Sequence, residues 1–428
     1  MRRIVCFGPG PMFKGGIANY NTALAKALSA FPDVEVDIVS WTQQYPAIIP
    51  RDFIDRSSKA DFLAGTRVKV QYLTNYNRPG TWQQTYRLIR DLRPDMVIFQ
   101  WSIALQGLPM GWIARKLKRH TEIEVVFDVH VLVQKEASML DRFFTRYGLR
   151  PADTYIVHAY KTAEELAATL PEARYDITED GVRSAGGNKT VIKLFHPVYS
   201  LFQPDPAFDR EGEKARLGLK RHVILFFGFI RKYKGLHHVI PAFAKVAAQR
   251  DDVSLLIVGE SFWHTLDKGK FSTRLKNALF GAAKSLFLRK ADDERNYNPL
   301  ELIEAMGIGA QTVVVNEFVP NEEVHRYFQV SDCICTYYLT ATPSGVESLA
   351  YNFRLPVLAT RVGHFPETIT DGFNGYLAEP DDIDSMAEQM IRIIEKPLLP
   401  ENVAKAAENM SWVNYALAVL GRARDQAT

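Results

Sequence analysis

A chain of 428 residues is longer than one ordinary hydrophobic core can serve, so two domains are expected. Apolar residues make up 47% and charged residues 24%, a balance that excludes a disordered chain. The net charge of +3 excludes nucleic-acid binding by bulk charge, and no stretch reaches the roughly 18 apolar residues that would cross a bilayer.

The N-terminal "MRRIVCFGPG" lacks the long apolar core of a signal peptide and reads as a first strand. "GPGPMFKGGIANYNTALAKAL" (residues 8–28) then opens a helix near Ile17, with Tyr20, Leu24 and Leu28 on one face. Gly15 and Gly16 carry no Cβ, so a phosphate or a sugar can approach the backbone there. The strict G-x-G-x-x-G spacing is not met, because Pro11, Met12 and Phe13 follow Gly8 and Gly10. A loop that merely turns the chain fits this stretch equally well.

Further strands are predicted at "VEVDIVSW", "RVKVQYL", "DMVIFQW", "EVVFDVH" and "TYIVHA". All are rich in Val, Ile and aromatics, too short for helices, and separated by amphipathic helical stretches, which predicts parallel sheets built from βαβ units. His130 follows the "EVVFDV" strand where ligands of such sheets bind, and both a structural and a catalytic role stay open.

"HPVYSLFQPDPAFDREGEKARLG" (196–218) holds three prolines and many charges and reads as a linker. It divides the chain into a first domain, 1–200, and a second, 201–410. Strands repeat there as "HVILFFG", "VSLLIVGE", "TVVVNEF", "CICTYY" and "PVLAT". Two doubly wound α/β domains would face each other across a cleft at the carboxyl ends of their strands.

"FFGFIRKYKGLHHVIPAFAKV" (226–246) ends a strand at Gly228 and starts a helix after Gly235, with Arg231, Lys232 and Lys234 between. A helix N-terminus favours an anion by about 0.3 to 1 kcal/mol, and a charge-assisted bond adds about 1.5 to 3 kcal/mol. The competing reading is a solvated basic loop. Residues 261–300 carry an apolar stripe (Phe271, Leu275, Leu279, Ala282, Leu286) surrounded by cations, suited to an anionic membrane surface or to packing on the second domain. "GWIARKLKRH" (111–120) is a second such segment.

Cys6, Cys333 and Cys335 lack metal-ligand spacing, and the last two share one face of a strand; a reducing compartment, hence the cytoplasm, fits best. In "ATPSGVESLAYNFRLPVLAT" (341–360) a loop enters a helix at Ser344 and Gly345, so the amides of Ser344, Gly345 and Val346 can face an anion. A plain N-cap by Ser344 is the alternative. Beyond it Gly363, Gly372 and Gly375 read as turn residues, and Glu367 as structural. Ser411 caps a last helix (411–428) whose Trp412, Tyr415, Ala416, Val419 and Leu420 form an apolar stripe, predicted to cross back onto the first domain.

The succession "GGIANY", "FFGFIRKYKG", "EFVPNEEVHRYFQVSD", "TPSGVESLAYNFRLPVLATRVGHFPETITDGFNGYLAEPDD" and "SWVNYALAVL" resembles the family 4 glycosyltransferases of the GT-B fold. The likeness is strongest from Phe226 to Asp382. "IFQW" (98–101), "DVHVLVQKE" (128–136) and "LFHPVYSLF" (194–202) are similar to one bacterial branch. The resemblance implies retaining transfer of a hexose from a UDP-sugar or GDP-mannose to a glycan or lipid-linked acceptor in polysaccharide or glycolipid synthesis, with no metal and no other cofactor. It places the nucleotide in the second domain and the acceptor in the first. Arg231 and Lys234 would grip the diphosphate beside Gly228, Phe318 and Val319 would meet the base through their backbone, Gly15 and Gly16 would approach phosphate or sugar, and His130 would touch the transferred sugar. The family's usual glutamate pair falls on Ala341 and Leu349, and Glu347 is out of phase with it. The resemblance implies a branch in which backbone amides replace those carboxylates. A nucleotide-sugar epimerase and a catalytically silent nucleotide-sugar-binding protein share the architecture and stand as alternatives.

Overall fold

The structure, a computed structural model, describes residues 1–45, 53–132, 139–261, 297–343 and 345–423. The first sheet holds β1 (Arg2–Phe7), β2 (Val34–Gln43), β3 (Lys69–Asn75), β4 (Met96–Trp101), β5 (Glu124–Val129), β6 (Thr154–Val157), β7 (Tyr175–Thr178) and β8 (Lys189–Lys193). Its order is β3-β2-β1-β4-β5-β6-β8-β7. The second holds β9 (His222–Phe227), β10 (Val253–Val258), β11 (Thr312–Val315), β12 (Cys333–Thr336), β13 (Val357–Thr360) and β14 (Gly375–Ala378), in the order β11-β10-β9-β12-β13-β14. Neighbouring strands in both sheets pair in parallel.

Parallel sheets are covered by helices on both faces, which is why the central strands β1, β4, β5, β9 and β10 are almost continuously apolar. Each sheet reverses its winding near its middle, between β1 and β4 in the first and between β9 and β12 in the second, and at the far edge of the first β8 turns back between β6 and β7. Loops on either side of such a reversal diverge and leave a crevice at the carboxyl ends of the strands. Two such crevices face each other here, as expected of a GT-B architecture.

Three strands escape the sequence pattern. β7, "YDIT", and β8, "KTVIK", carry polar residues at positions that should be apolar. Lys193 of β8 is nonetheless buried, its Nζ 3.6 Å from the centroid of the Phe195 ring and 3.7 Å from Glu367 of the second domain. β14 opens with Gly375, which is not a turn residue: a Cβ there would lie 2.2 Å from the Val357 carbonyl on β13. Strand pairing that close needs glycine. The 196–218 stretch is also not all linker, since Arg210–Leu217 forms a helix whose N-cap Asp209 accepts from the Gly212 amide at 2.9 Å.

The last helix, Trp412–Leu420, starts at Ser411, whose hydroxyl accepts from the Asn414 amide at 3.1 Å. It packs on the first domain against the helix Gly16–Ser29. Gly181 approaches it so closely that a Cβ would meet the Ala418 carbonyl at 1.7 Å. Cys6, Cys333 and Cys335 are free and buried in the cores. No described helix is long and apolar enough to cross a membrane.

Candidate functional site

The two crevices enclose one cavity of about 320 Å³, within the usual range of ligand sites. The first domain contributes Gly15 and Gly16 after β1 and His130 after β5; the connection between domains contributes His196 and Tyr199. The second contributes Gly228 and Lys234 after β9, Glu260 after β10, Glu317, Phe318 and Val319 after β11, and Gly345 and Val346 after β12. The lobes touch beside it. Lys14 Nζ sits 4.5 Å from the centroid of the Phe318 ring, and Ser58 Oγ accepts from the Asn321 amide at 2.9 Å.

Glycine shapes the second-domain wall. Gly228 has φ +94° and its missing Cβ would lie 2.7 Å from Lys234 Nζ. Gly259, at the end of β10, would drive a Cβ to 2.1 Å from the Gly228 carbonyl. The two strand ends are thus pressed together, leaving room for the amine between them and the 345–352 helix. Lys234 is buried, with Nζ 3.4 Å from the Phe227 carbonyl. Burial, and secondarily the charge of Arg231, pulls its ammonium down to about 7. Arg231 is half-buried one turn away, its guanidinium 5.5 Å from the Tyr233 ring, and is not among the cavity-lining residues.

On the opposite wall His130 is buried, and burial pulls its imidazole down to about 4 although Asp128 opposes this. The ring is therefore neutral near pH 7. Its Nε2–H donates to Gln100 Oε1 at 2.7 Å, which leaves Nδ1 as the lone-pair atom. Tyr20 packs edge-on at 4.6 Å between ring centroids. Among the described residues Asp128, His130 and His158 bring donor atoms within 4.8 Å of one another, a grouping the sequence spacing did not suggest. Hydrogen bonds occupy them: Asp128 Oδ1 accepts from His158 Nε2 at 2.9 Å, and Oδ2 accepts from Tyr415 Oη at 3.1 Å. This network ties the returning C-terminal helix to the strand that carries His130.

Glu347 is turned away from the cavity, which it does not line. Its carboxylate accepts from His364 Nε2 at 2.5 Å, Thr368 Oγ1 at 2.5 Å and Tyr351 Oη at 3.0 Å, and is buried. Leu349 does line the cavity, so one position of the usual glutamate pair faces it with an apolar side chain. Ser344 lies outside the described residues, as does most of the 261–300 segment.

Of the residues singled out from sequence, Gly15, Gly16, His130, Gly228, Lys234, Phe318, Val319, Gly345 and Val346 meet around one cavity, with Arg231 behind Lys234. Three cavity carboxylates, Asp55, Glu260 and Glu317, are not among the residues that the sequence singles out. Glu260 was legible by position alone, at the end of a central strand after Gly259. Tyr199 lies in the supposed linker, within the "LFHPVYSLF" stretch that carries part of the resemblance, but nothing in the sequence assigned the tyrosine a role.

The family Glycosyl transferases group 1 matches residues 208–410, and Glycosyltransferase Family 4 matches residues 14–184. Among curated proteins, D-inositol 3-phosphate glycosyltransferase of Streptomyces scabiei is 23% identical over 317 residues, covering 72% of this chain and 64% of that protein. N-acetyl-alpha-D-glucosaminyl L-malate synthase of Bacillus anthracis is 26% identical over 229 residues, 52% of this chain and 50% of its own length. Spore coat protein SA of Bacillus subtilis is 24% identical over 240 residues, 53% of this chain and 54% of its own. The chain thus spans one-half to two-thirds of the length of these relatives. Among solved structures, Anabaena HepE in complex with UDP-glucose superposes with a TM-score of 0.66 at 15% identity, covering 97% of this chain and 98% of that one. Two glycosyltransferase family models match the two halves of the chain in order, and the whole chain shares its fold with the solved HepE structure: the protein belongs to the family 4-type glycosyltransferases of the GT-B fold.

Proposed function

We propose that the protein transfers a hexose, with retention of anomeric configuration, from a nucleotide-diphosphate sugar to a glycan or lipid-linked acceptor. The observation that carries this reading is the pairing of Lys234 and Arg231 with the glycine-lined wall of Gly228 and Gly345, opposite the neutral His130. A pyrophosphate between these walls would meet Lys234 and the start of the 345–352 helix, with the charge of Arg231 behind Lys234 rather than in the cavity wall. As the bond from the sugar C1 to phosphate oxygen loosens, negative charge builds on the departing diphosphate, and cations already in place stabilise it without reorganising. The same phosphate oxygen can then take the acceptor's proton on the face it has just left, so no protein nucleophile is needed.

In this reading His130 Nδ1 accepts from a hydroxyl of the transferred sugar. Phe318 and Val319 receive the base, and Glu260 and Glu317 offer acceptors for hydroxyls in a cavity where Leu349 offers none. A UDP-sugar is the favoured donor, because HepE is solved with UDP-glucose, and GDP-mannose, implied by the family resemblance, is the alternative. Neither a metal nor another cofactor is invoked. The enzyme would work on the cytoplasmic side, in polysaccharide or glycolipid synthesis, with a peripheral membrane contact where the acceptor is lipid-linked. The test is incubation with a panel of UDP- and GDP-sugars while proton NMR follows the anomeric signal. Slow release of nucleoside diphosphate with the starting anomeric configuration is expected for at least one donor. Binding without turnover for every donor would make it a silent binding protein, and epimerised donor would make it an epimerase.

A further inference from the structure

The 111–120 segment, one of two sequence-based candidates for a membrane contact, is not available for one by its apolar face. It forms the end of the helix Gly107–His120, and its Ile113, Ala114 and Leu117 are buried in the first-domain core. The neighbouring helix, Met139–Leu149, is different. Met139 is 87% exposed, Leu140 54% and Phe143 56%, the largest cluster of exposed apolar side chains within one described element. Leu140 and Phe143 are three apart, so they share a helix face, and Phe143 continues it by stacking on Tyr147 with ring centroids 6.0 Å apart.

The inner side of this helix is fully committed. Gly107 lies so close that a Cβ would meet the Phe144 carbonyl at 2.2 Å, and Arg115 Nη2 donates to the Tyr147 carbonyl at 2.6 Å. The apolar residues therefore cannot fold inward. Arg142 and Arg146 follow Met139 and Leu140 along the exposed side, with Arg150 just beyond the last turn. From Gly107 to His120 and from Met139 to Arg150, seven arginines and lysines face one carboxylate, Asp141. Adding Asp153 and Glu172, which pair with Lys118, Arg146 and Arg150, still leaves a net of four positive charges, more than the +3 of the whole chain. The remainder of the chain sums to −1, so this helix pair carries the chain's excess of positive charge.

We infer that the outer face of the Met139–Leu149 helix docks on an anionic phospholipid surface. Exposed apolar side chains flanked by arginines insert at the boundary of headgroup and acyl chains while the cations meet phosphate. The face also sits usefully. The helix follows β5, so its N-terminal end, with Met139 and Leu140, starts from the strand end that carries His130. A bilayer there would lie at the acceptor side of the cleft. A second copy of this chain is the rival occupant, and an apolar face alone would suit it, but two identical patches of net positive charge repel each other.

The experiment is vesicle flotation of the full chain at low salt, read without donor or acceptor, so its outcome is independent of the proposed transfer reaction. Binding to vesicles containing phosphatidylglycerol is expected, with little binding to pure phosphatidylcholine and loss at high salt. The double variant Leu140→Asp/Phe143→Asp should bind at least about tenfold more weakly, and so should Arg142→Glu, which leaves the apolar face intact. Both substitute exposed positions, and circular dichroism checks the fold. No binding by the wild-type chain, or undiminished binding by both variants, overturns the inference. So does a wild-type dimer that the double variant turns into a monomer with vesicle binding unchanged.

Discussion

The Tyr199 hydroxyl donates to the Gly16 carbonyl at 2.8 Å, joining the connection between domains to the glycine turn of the first domain. The same ring fills the space of the missing Gly345 side chain, where a Cβ would lie 2.5 Å from its edge. One tyrosine thus spaces two glycine turns that belong to different domains and line the same cavity. Tyr199→Phe keeps the ring and removes the hydroxyl, leaving a part-buried carbonyl without its donor. A loss of about 1–3 kcal/mol in stability is expected. The donor KM should rise more than kcat falls, because the turns are held less firmly before the donor arrives. Thermal unfolding measures the first effect and steady-state turnover of the accepted donor the second, and an unchanged KM would show that the bond matters to folding alone.

Arg231→Ala tests the cation behind Lys234. The side chain is half-buried in a short turn after Ile230, and its removal leaves the sheet and the cavity wall in place. The variant should unfold at nearly the wild-type temperature and lose about 10²–10³ in kcat, the usual scale for one missing group that stabilises developing charge. The lost charge also relieves Lys234, whose ammonium Arg231 helps to pull down. Near-normal turnover would remove Arg231 from the mechanism.

Lys234 gives donor binding a pH dependence of definite sign. In the free protein its amine titrates at about 7, because burial and Arg231 disfavour the charged form. A diphosphate beside it favours that form, so the pKa rises on binding. Below pH 7 the amine is already protonated and binding is at full strength. Above pH 7 binding must draw in a proton, and Kd should rise by up to about tenfold per pH unit until the bound-state pKa is reached. Calorimetry of UDP-glucose binding in buffers of different ionisation enthalpy, at pH 6, 7 and 8, measures the proton uptake. Lys234→Met should flatten the profile, since it fills the site without a charge. A wild-type Kd that does not change over this range would separate Lys234 from the donor.

Much of the fold was legible because its strands are buried on both faces. "VILFF" and "SLLIV" allow few alternatives once helical stretches separate them. What stayed hidden follows from compensation by neighbours. Lys193 is tolerated in β8 because Phe195, Tyr160 and Glu367 surround it, and nothing local announces those partners. Gly375 looked like a turn because glycine usually is one, whereas its role is to let β14 approach β13. In the site, Gly228 and Lys234 were visible as a strand end and a basic loop. The inward aim of Lys234 was not, since it depends on Gly228 and Gly259 lacking side chains just past the ends of two different strands. Asp55 and Tyr199 reach the cavity from segments without any regular pattern.

Glu347, the one acid in the stretch that enters the helix after β12, offers a contrasting prediction. It is buried, and although burial itself raises its carboxyl pKa, His364 together with Thr368 and Tyr351 holds the carboxyl below the usual range. A carboxylate with a depressed folded-state pKa stabilises the protein above the unfolded value, and that contribution fades as pH falls through the folded one. Glu347→Ala leaves His364 buried opposite an empty space. Breaking such a pair by removing one partner costs about 3–5 kcal/mol. The melting temperature should drop sharply at pH 7 and the gap from wild type should narrow in acid, while enzyme kept folded at low temperature retains near-normal kcat, because Glu347 does not line the cavity. If kcat instead collapses in folded protein with little change in melting temperature, the carboxylate acts on the donor, and the backbone-amide reading of this stretch is wrong.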